Sequence, residues 1–402
     1  MVMSAPQEGA QRFTPLLPSA PEVFQQVGFS GTEFPETHHL MRALPLEAVA
    51  PGGVLGVWSL QCPGQFRLLA TGKRRLLPSE QEMEVDTPFD IASVTKVMAT
   101  ASLVAQLVER RWVRWDSPVK RYLSDFPYSD ITLADLLSHT AGLPAWSPLW
   151  QTLRESLRVN QGDEIFRLPI SLRQAEMRRL VLNIPREAPT GERAVYSDIS
   201  FLLLGYALEE ICSAPLDEAV QSLVWNPMGL KGASFRRVNQ SVEEARAEAF
   251  AATENCPWRG GVIQGQVHDD NCWSMGGVAG HAGVFARAED VLRFGVEWLT
   301  RMFSTHTRSE AWSRVSRPSG CSRTLGWDTP SGEQPAAGQI LSPLSVGHLG
   351  FTGTSLWIDP VRGWVITLLT NRVHLGRENI KIREFRNRLH TVLARELLAL
   401  EK

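Results

Sequence analysis

Ser93-Val94-Thr95-Lys96-Val97-Met98-Ala99-Thr100-Ala101-Ser102-Leu103-Val104 is the stretch on which the reading of this 402-residue chain turns. Before it the pattern is strand-like. Gly53 to Leu60 and Phe66 to Thr71 are apolar runs separated by the turn-forming Cys62-Pro63-Gly64-Gln65, which predicts an antiparallel hairpin. From Val97 onward the apolar spacing becomes helical, over Val97–Val108, Leu133–Ser138, Ile199–Ile211, Leu216–Trp225 and Glu289–Phe303. Thr132 with Asp135 forms a capping-box pattern at the start of the second of these. Strands return near the other end, at Thr354–Ile358 and Trp364–Thr370, joined by Asp359-Pro360-Val361-Arg362-Gly363. Ile380, Ile382, Phe385, Leu389, Leu393 and Leu397 then form a helical stripe suited to covering a sheet face. The expected fold is α/β of the α+β kind: an antiparallel sheet of five or more strands from both chain ends, flanked by helices, with an all-α insert. In residues, a polar tail spans 1–20, the sheet domain takes 21–96 and 277–402, and the mostly helical insert takes 97–276.

Composition excludes several classes. Forty-one basic and 43 acidic residues leave a net charge of −2, so no nucleic-acid footprint is expected. Hydrophobic residues make up 43% and charged residues 21%, which is the balance of a folded chain with a large core. The five cysteines lack a C-x-x-C pair and predict neither a zinc site nor a disulfide framework. No signal-peptide core is visible, and no apolar run approaches the ~18 residues of a membrane span. A cytoplasmic protein with no membrane contact and no cofactor is the expectation.

G-x-S-x-G, P-loop, G-x-G-x-x-G and H-E-x-x-H signatures are all missing. Two S-x-x-K matches remain, and their surroundings separate them. Lys120 of Ser117-Pro118-Val119-Lys120 lies among Arg111, Arg114, Asp116 and Arg121, a solvated setting. Lys96 opens the apolar run. Three residues apart on a helix, Ser93 and Lys96 share a face, and burial would push the lysine toward the neutral amine a general base needs. The chain uses 35 Arg but six Lys, and arginine cannot shed its proton, so a buried lysine here suggests proton transfer. A tyrosine could serve the leaving group. Tyr128-Ser129-Asp130 and Tyr196-Ser197-Asp198 both precede helical patterns, and spacing does not choose between them.

Five ordered blocks now point to a family: Ser93 to Lys96; Leu136-Leu137-Ser138-His139-Thr140-Ala141-Gly142-Leu143-Pro144; Pro189-Thr190-Gly191 running into Tyr196-Ser197-Asp198 and Leu203 to Tyr206; Gly280-His281-Ala282-Gly283-Val284-Phe285; and Gly347-His348-Leu349-Gly350-Phe351-Thr352-Gly353-Thr354. Together they resemble the serine β-lactamase and penicillin-binding-protein-like hydrolases, in the branch of class C enzymes, D-alanyl-D-alanine carboxypeptidases and family VIII esterases, over about residues 50 to 372. The resemblance implies Ser93 as acylated nucleophile, Lys96 as proton acceptor and Tyr196, not Tyr128, as shared acid/base. It also implies an oxyanion hole of the Ser93 and Phe351 backbone N–H groups, with Asp198, His348, Gly350 and Trp146 as substrate-binding candidates.

Two positions depart from the family pattern. Asp198 replaces the usual Asn, and a carboxylate there would favour the lysine ammonium. His348-Leu349-Gly350 replaces Lys-Thr-Gly, which removes a fixed cation and a hydroxyl. The substitution favours a small neutral ester or amide as substrate and an esterase reading. A carboxypeptidase or weak β-lactamase, and a non-catalytic binding protein that keeps the fold, are the alternatives. His139 and His281 read as structural residues, His268-Asp269-Asp270-Asn271 as a solvated loop rather than a metal site, and Trp146 and Trp150 as core packing residues, with a cleft wall as the alternative.

Overall fold

The computed structural model describes residues 24–159, 165, 167–238 and 247–401, and the tail expected at residues 1–20 lies outside them. The largest sheet contains β1 (Gln25–Gly28), β2 (Gly52–Ser59), β3 (Gln65–Arg75), β4 (Val346–Leu349), β5 (Ser355–Asp359) and β6 (Trp364–Thr370). Their spatial order is β1-β3-β2-β6-β5-β4, with Gln81–Glu82 added on β3. The two hairpins meet in the middle, where Val57 of β2 pairs with Ile366 of β6. Sequence-distant ends of the chain thus become neighbours.

Side chains alternate across this sheet, and both faces are covered. On one face Leu55, Val57, Trp357, Trp364, Ile366 and Leu368 pack under α1 (Pro35–Leu46) and a C-terminal helix, Ile382–Leu400. On the other, Val54, Leu356, Ile358, Val365 and Leu369 join the main core. That core includes the helices Ser102–Glu109 (α2), Asp198–Cys212 (α3) and Ala288–Thr300 (α4); the C-terminal helix is α5. Gly295 lets α4 sit close, because a Cβ there would come within 2.4 Å of the Val365 side chain. Ten consecutive residues of α3, Ile199 to Leu208, are buried, so this helix is apolar all round and runs through the core. The Thr132 capping box forms, with Asp135 and Thr132 each accepting the other's backbone N–H.

Two expectations need correction. The sheet is mixed, not purely antiparallel: β1 runs parallel to β3. This four-residue edge strand is mostly exposed and polar, so it carries no alternation, and α1 separates it from β2 in place of a tight turn. The middle of the chain is also not all-α. Ala252–Cys256 and Gly261–Gln264 form a hairpin, and Ser234–Phe235 pairs with Val284–Ala286 beside Phe89–Asp90. These strands are two to five residues long, too short for a periodic signal.

Candidate active site

Ser93 stands on a strained turn. Ala92, just before it, has a φ of +47°, a left-handed conformation that a non-glycine residue adopts only when its surroundings impose it. The surroundings are explicit: the buried Asp90 carboxylate accepts the Ala92 N–H at 2.8 Å and the His268 N–H at 2.7 Å. The Ile91 carbonyl accepts the Thr354 hydroxyl at 2.8 Å, which ties the turn to the far end of the chain. A single 3₁₀ turn, Ala92–Val94, leads into a π-helical turn, Lys96–Ala101, and then α2.

The spacing argument places Lys96 over Ser93, and the structure has Lys96 Nζ 3.1 Å from Ser93 Oγ with the lysine fully buried. It also has 2.7 Å to Asp198 Oδ1 and 3.1 Å to the His281 carbonyl. Three acceptors use all three ammonium protons. The expected neutral amine is therefore corrected. Burial disfavours the charge, but Asp198 and Tyr196 outweigh it and hold the Lys96 ammonium above the ordinary lysine range. The Tyr196 phenol has Ser93 and Lys96 within hydrogen-bonding reach. Burial raises its pKa, although Lys96 opposes the shift, so the resting group is neutral.

Tyr196 is held by its neighbours. His139 Nδ1 accepts the Ser197 N–H at 3.0 Å, and its ring lies 4.7 Å from the Tyr196 ring. Burial, helped by Arg323 and Lys96, keeps His139 well below its usual pKa, as that acceptor role requires. Ser197 caps α3 by accepting the Ser200 N–H, so Asp198 begins the helix in register with Lys96.

Across from Ser93 lies β4 and the loop after it. His348 is buried 5.9 Å from the Tyr196 ring, and its Nδ1–H donates to the Leu349 carbonyl at 3.0 Å. Burial, reinforced by Lys96 and Arg323, pushes it well below the usual histidine range. The ring is thus neutral, with a bare Nε2 that meets no hydrogen-bond partner among the described residues. Gly350 is required by proximity: a Cβ would sit 2.0 Å from Thr354 Oγ1 and 2.5 Å from the Ile91 carbonyl.

Ser93, Tyr196, Asp198, His348, Gly350, Phe351 and Trp146 all line one cavity of about 660 Å³, with Lys96 beneath its floor. Trp146, 51% exposed, stands at its rim; Trp150 instead stacks on Trp258 at 4.5 Å and does not line it. Tyr128 is also elsewhere, its hydroxyl accepting the Arg186 N–H at 3.0 Å. Lys120 is exposed. His268 and Asp269 do line the cavity, but they are engaged with Glu254 at 3.0 Å and His281 at 2.9 Å.

Among the cavity residues that escaped the sequence reading are Arg323, 5.3 Å above the Tyr196 ring, Arg383, and Arg372 and Arg386, which hold the loop after β4. Only Arg386 left a signal. It follows Ile382 by four residues and precedes Leu389 by three, which puts a charge on the core-facing stripe of α5.

The Beta-lactamase family profile matches residues 49–390. A protein of Salmonella agona (strain SL483) named "Putative D-alanyl-D-alanine carboxypeptidase" is 31% identical over 327 residues, 74% of this chain and 72% of the relative. Among solved structures, EstCE1, described as a hydrolase with promiscuous acyltransferase activity, superposes with a TM-score of 0.66 at 20% identity, over 89% of this chain and 99% of that one. A class C β-lactamase from Rhodobacter sphaeroides superposes with a TM-score of 0.62 at 19% identity, over 91% and 99%. The family match over most of the chain agrees with the five motif blocks and with the mixed sheet flanked by helices, and on that ground the protein belongs to the Beta-lactamase family of serine hydrolases.

Proposed function

We propose that the protein is an esterase-type acyl hydrolase of small or medium substrates that works through an acyl-enzyme on Ser93. The observation that carries this reading is the contact of Ser93 Oγ with a buried Lys96 whose other partners include Asp198, Tyr196 and a backbone carbonyl. Ser93 Oγ attacks the substrate carbonyl, and its proton passes to the Lys96–Tyr196 pair. That pair must first lose a proton, since both groups are protonated at rest. The oxyanion forms between the N–H groups of Ser93 and Phe351. Tyr196 protonates the leaving group, then takes a proton from the water that releases the acid. The neutral His348 and the apolar Leu349 supply no cation or hydroxyl for a substrate carboxylate, which supports neutral esters.

Purified protein is expected to release p-nitrophenol from short-chain esters and to be blocked by a fluorophosphonate, with the adduct on the Ser93 peptide in the mass spectrum. An unlabelled Ser93 would overturn the proposal. A D-alanyl-D-alanine carboxypeptidase is the second reading. It is supported by the names of the curated relatives and by Arg383, exposed at the cavity with no carboxylate partner among the described residues. Release of D-alanine from a D-Ala-D-Ala peptide, with ester turnover absent, would move the assignment there.

A further inference from the structure

Arg386 is a buried cation that the mechanism above does not use. It is 4% exposed, and among the described residues it meets no carboxylate. Burial, with Arg372 and Arg383 nearby, pushes its guanidinium down to about 9. A buried arginine without an anion is costly, so its retention calls for an explanation. Its terminal nitrogen donates to the Gly350 carbonyl at 3.1 Å and to the Thr354 carbonyl at 2.6 Å. Arg372, 5% exposed, sits alongside, and its Nε donates to the Phe351 carbonyl at 2.7 Å.

The peptide that joins Gly350 to Phe351 is planar and trans, so its C=O and N–H point in opposite directions. A donor that fixes the Gly350 oxygen therefore fixes the Phe351 N–H on the other side of the plane, directed away from Arg386. The following peptide is pinned in the same way by Arg372. A charge on the carbonyl also polarises the peptide and makes its N–H a stronger donor. The loop has no slack on its inner side, where the Thr352 and Thr354 hydroxyls donate to the Asp90 and Ile91 carbonyls, both at 2.8 Å.

We propose that Arg386, assisted by Arg372, is a positioning residue for oxyanion stabilisation: through the Gly350 carbonyl it orients and polarises the Phe351 N–H. The inference rests on the acyl-enzyme reading, and it assigns these cations to the backbone rather than to a charged substrate.

The test uses the full chain with two esters, neutral p-nitrophenyl acetate and anionic p-nitrophenyl hemisuccinate. Arg386→Met is expected to lower kcat about ten- to a hundredfold for both, less than outright loss of an oxyanion donor, with KM within about twofold. Arg386→Lys keeps a cation that can reach one carbonyl at a time, so it is expected to recover part of the loss. A rise in KM confined to the hemisuccinate would make Arg386 an anion contact and overturn the proposal. So would Arg386→Lys at parental kcat, a comparison that stands even if Arg386→Met does not fold. Fluorophosphonate labelling separates the two readings: an unlabelled parent removes the acyl-enzyme and this inference with it. A labelled parent beside an Arg386 variant of unchanged kcat removes the inference alone.

Discussion

The two sides of the cavity are built on opposite electrostatic plans. On the Ser93 side the buried cation meets a carboxylate at close range: the Lys96 ammonium sits on Asp198 at 2.7 Å. On the Phe351 side the buried cations, Arg372 and Arg386, hydrogen-bond to carbonyl oxygens and meet no carboxylate among the described residues. A matched pair can store and move a proton, because either partner's charge can change at modest cost. A cation held on peptide dipoles cannot exchange its proton at working pH, and it stiffens backbone instead. On the proposed mechanism, proton transfer and oxyanion binding fall to different chemistry on facing walls.

Breaking the Ser93 side should have the larger effect. Ser93→Ala is expected to lower ester turnover by at least about a thousandfold, since the nucleophile acts as a unit with its base. A binding protein that merely kept the fold would show no such loss, so the kcat of this variant tests catalysis itself. Lys96→Arg conserves charge yet should be as damaging, because arginine neither releases its proton nor fits three acceptors arranged around an ammonium. Single-turnover labelling of Ser93 in this variant at near-parental rate would show that Lys96 is not on the proton path.

The Phe351 side can be broken at Gly350. Gly350→Ala forces a Cβ against the Thr354 hydroxyl and the Ile91 carbonyl, so the loop must shift. A loss of about a hundredfold in kcat is expected, of the order of one lost oxyanion donor, together with about 1–3 kcal/mol of stability in urea unfolding. If turnover survives intact, the Phe351 N–H is not where the oxyanion forms.

The same contrast explains what could be read without coordinates. Ser93 and Lys96 lie one helical turn apart, and the hairpins show an apolar pattern over five to eight residues, so local spacing carries both. Fold class followed from these. Arg386 reaches Gly350 across 36 positions and Arg372 reaches Phe351 across 21, and nothing in their local sequence names those partners. The charge state of Lys96 was misjudged for a related reason. Burial is legible in an apolar run, but the strength of an ion pair depends on a distance, here 2.7 Å to a residue 102 positions away.

A subtler probe of the matched side is its pH dependence. Asp198 raises the Lys96 ammonium, so the proton-poor, reactive form of the Lys96–Tyr196 pair grows in as pH rises. Asp198→Asn removes that restraint, and the rising limb of kcat/KM against pH should move to lower pH, with more of the reactive form present on that limb. An unmoved limb would mean that the limb does not report this pair. Stability carries the complementary sign. A lysine raised on folding contributes fully below its unfolded value of 10.5, and that contribution is lost as pH climbs through the higher folded value.

The smallest effect on turnover is expected away from both walls, at His390 on α5. Its ring is fully buried, its Nδ1–H donates to the Ala336 carbonyl, and burial lowers it from 6.5 to about 4. Between those values the unfolded chain binds a proton that the folded chain refuses, so stability must fall as pH drops. For His390 alone the loss from pH 7 to pH 5 comes to about 2 kcal/mol. His139 and His348 at the site share its direction and steepen the fall. His390→Asn keeps a donor for Ala336 and removes the titration, so urea unfolding at the two pH values should differ by about 2 kcal/mol less than in the parent, with ester kcat unchanged. An identical pH dependence in parent and variant would mean that the ring takes up its proton inside the fold as readily as in the unfolded chain. Burial with carbonyl oxygen for company, the arrangement in which Arg386 still keeps its proton at pH 7, would then be tolerated by imidazolium as well.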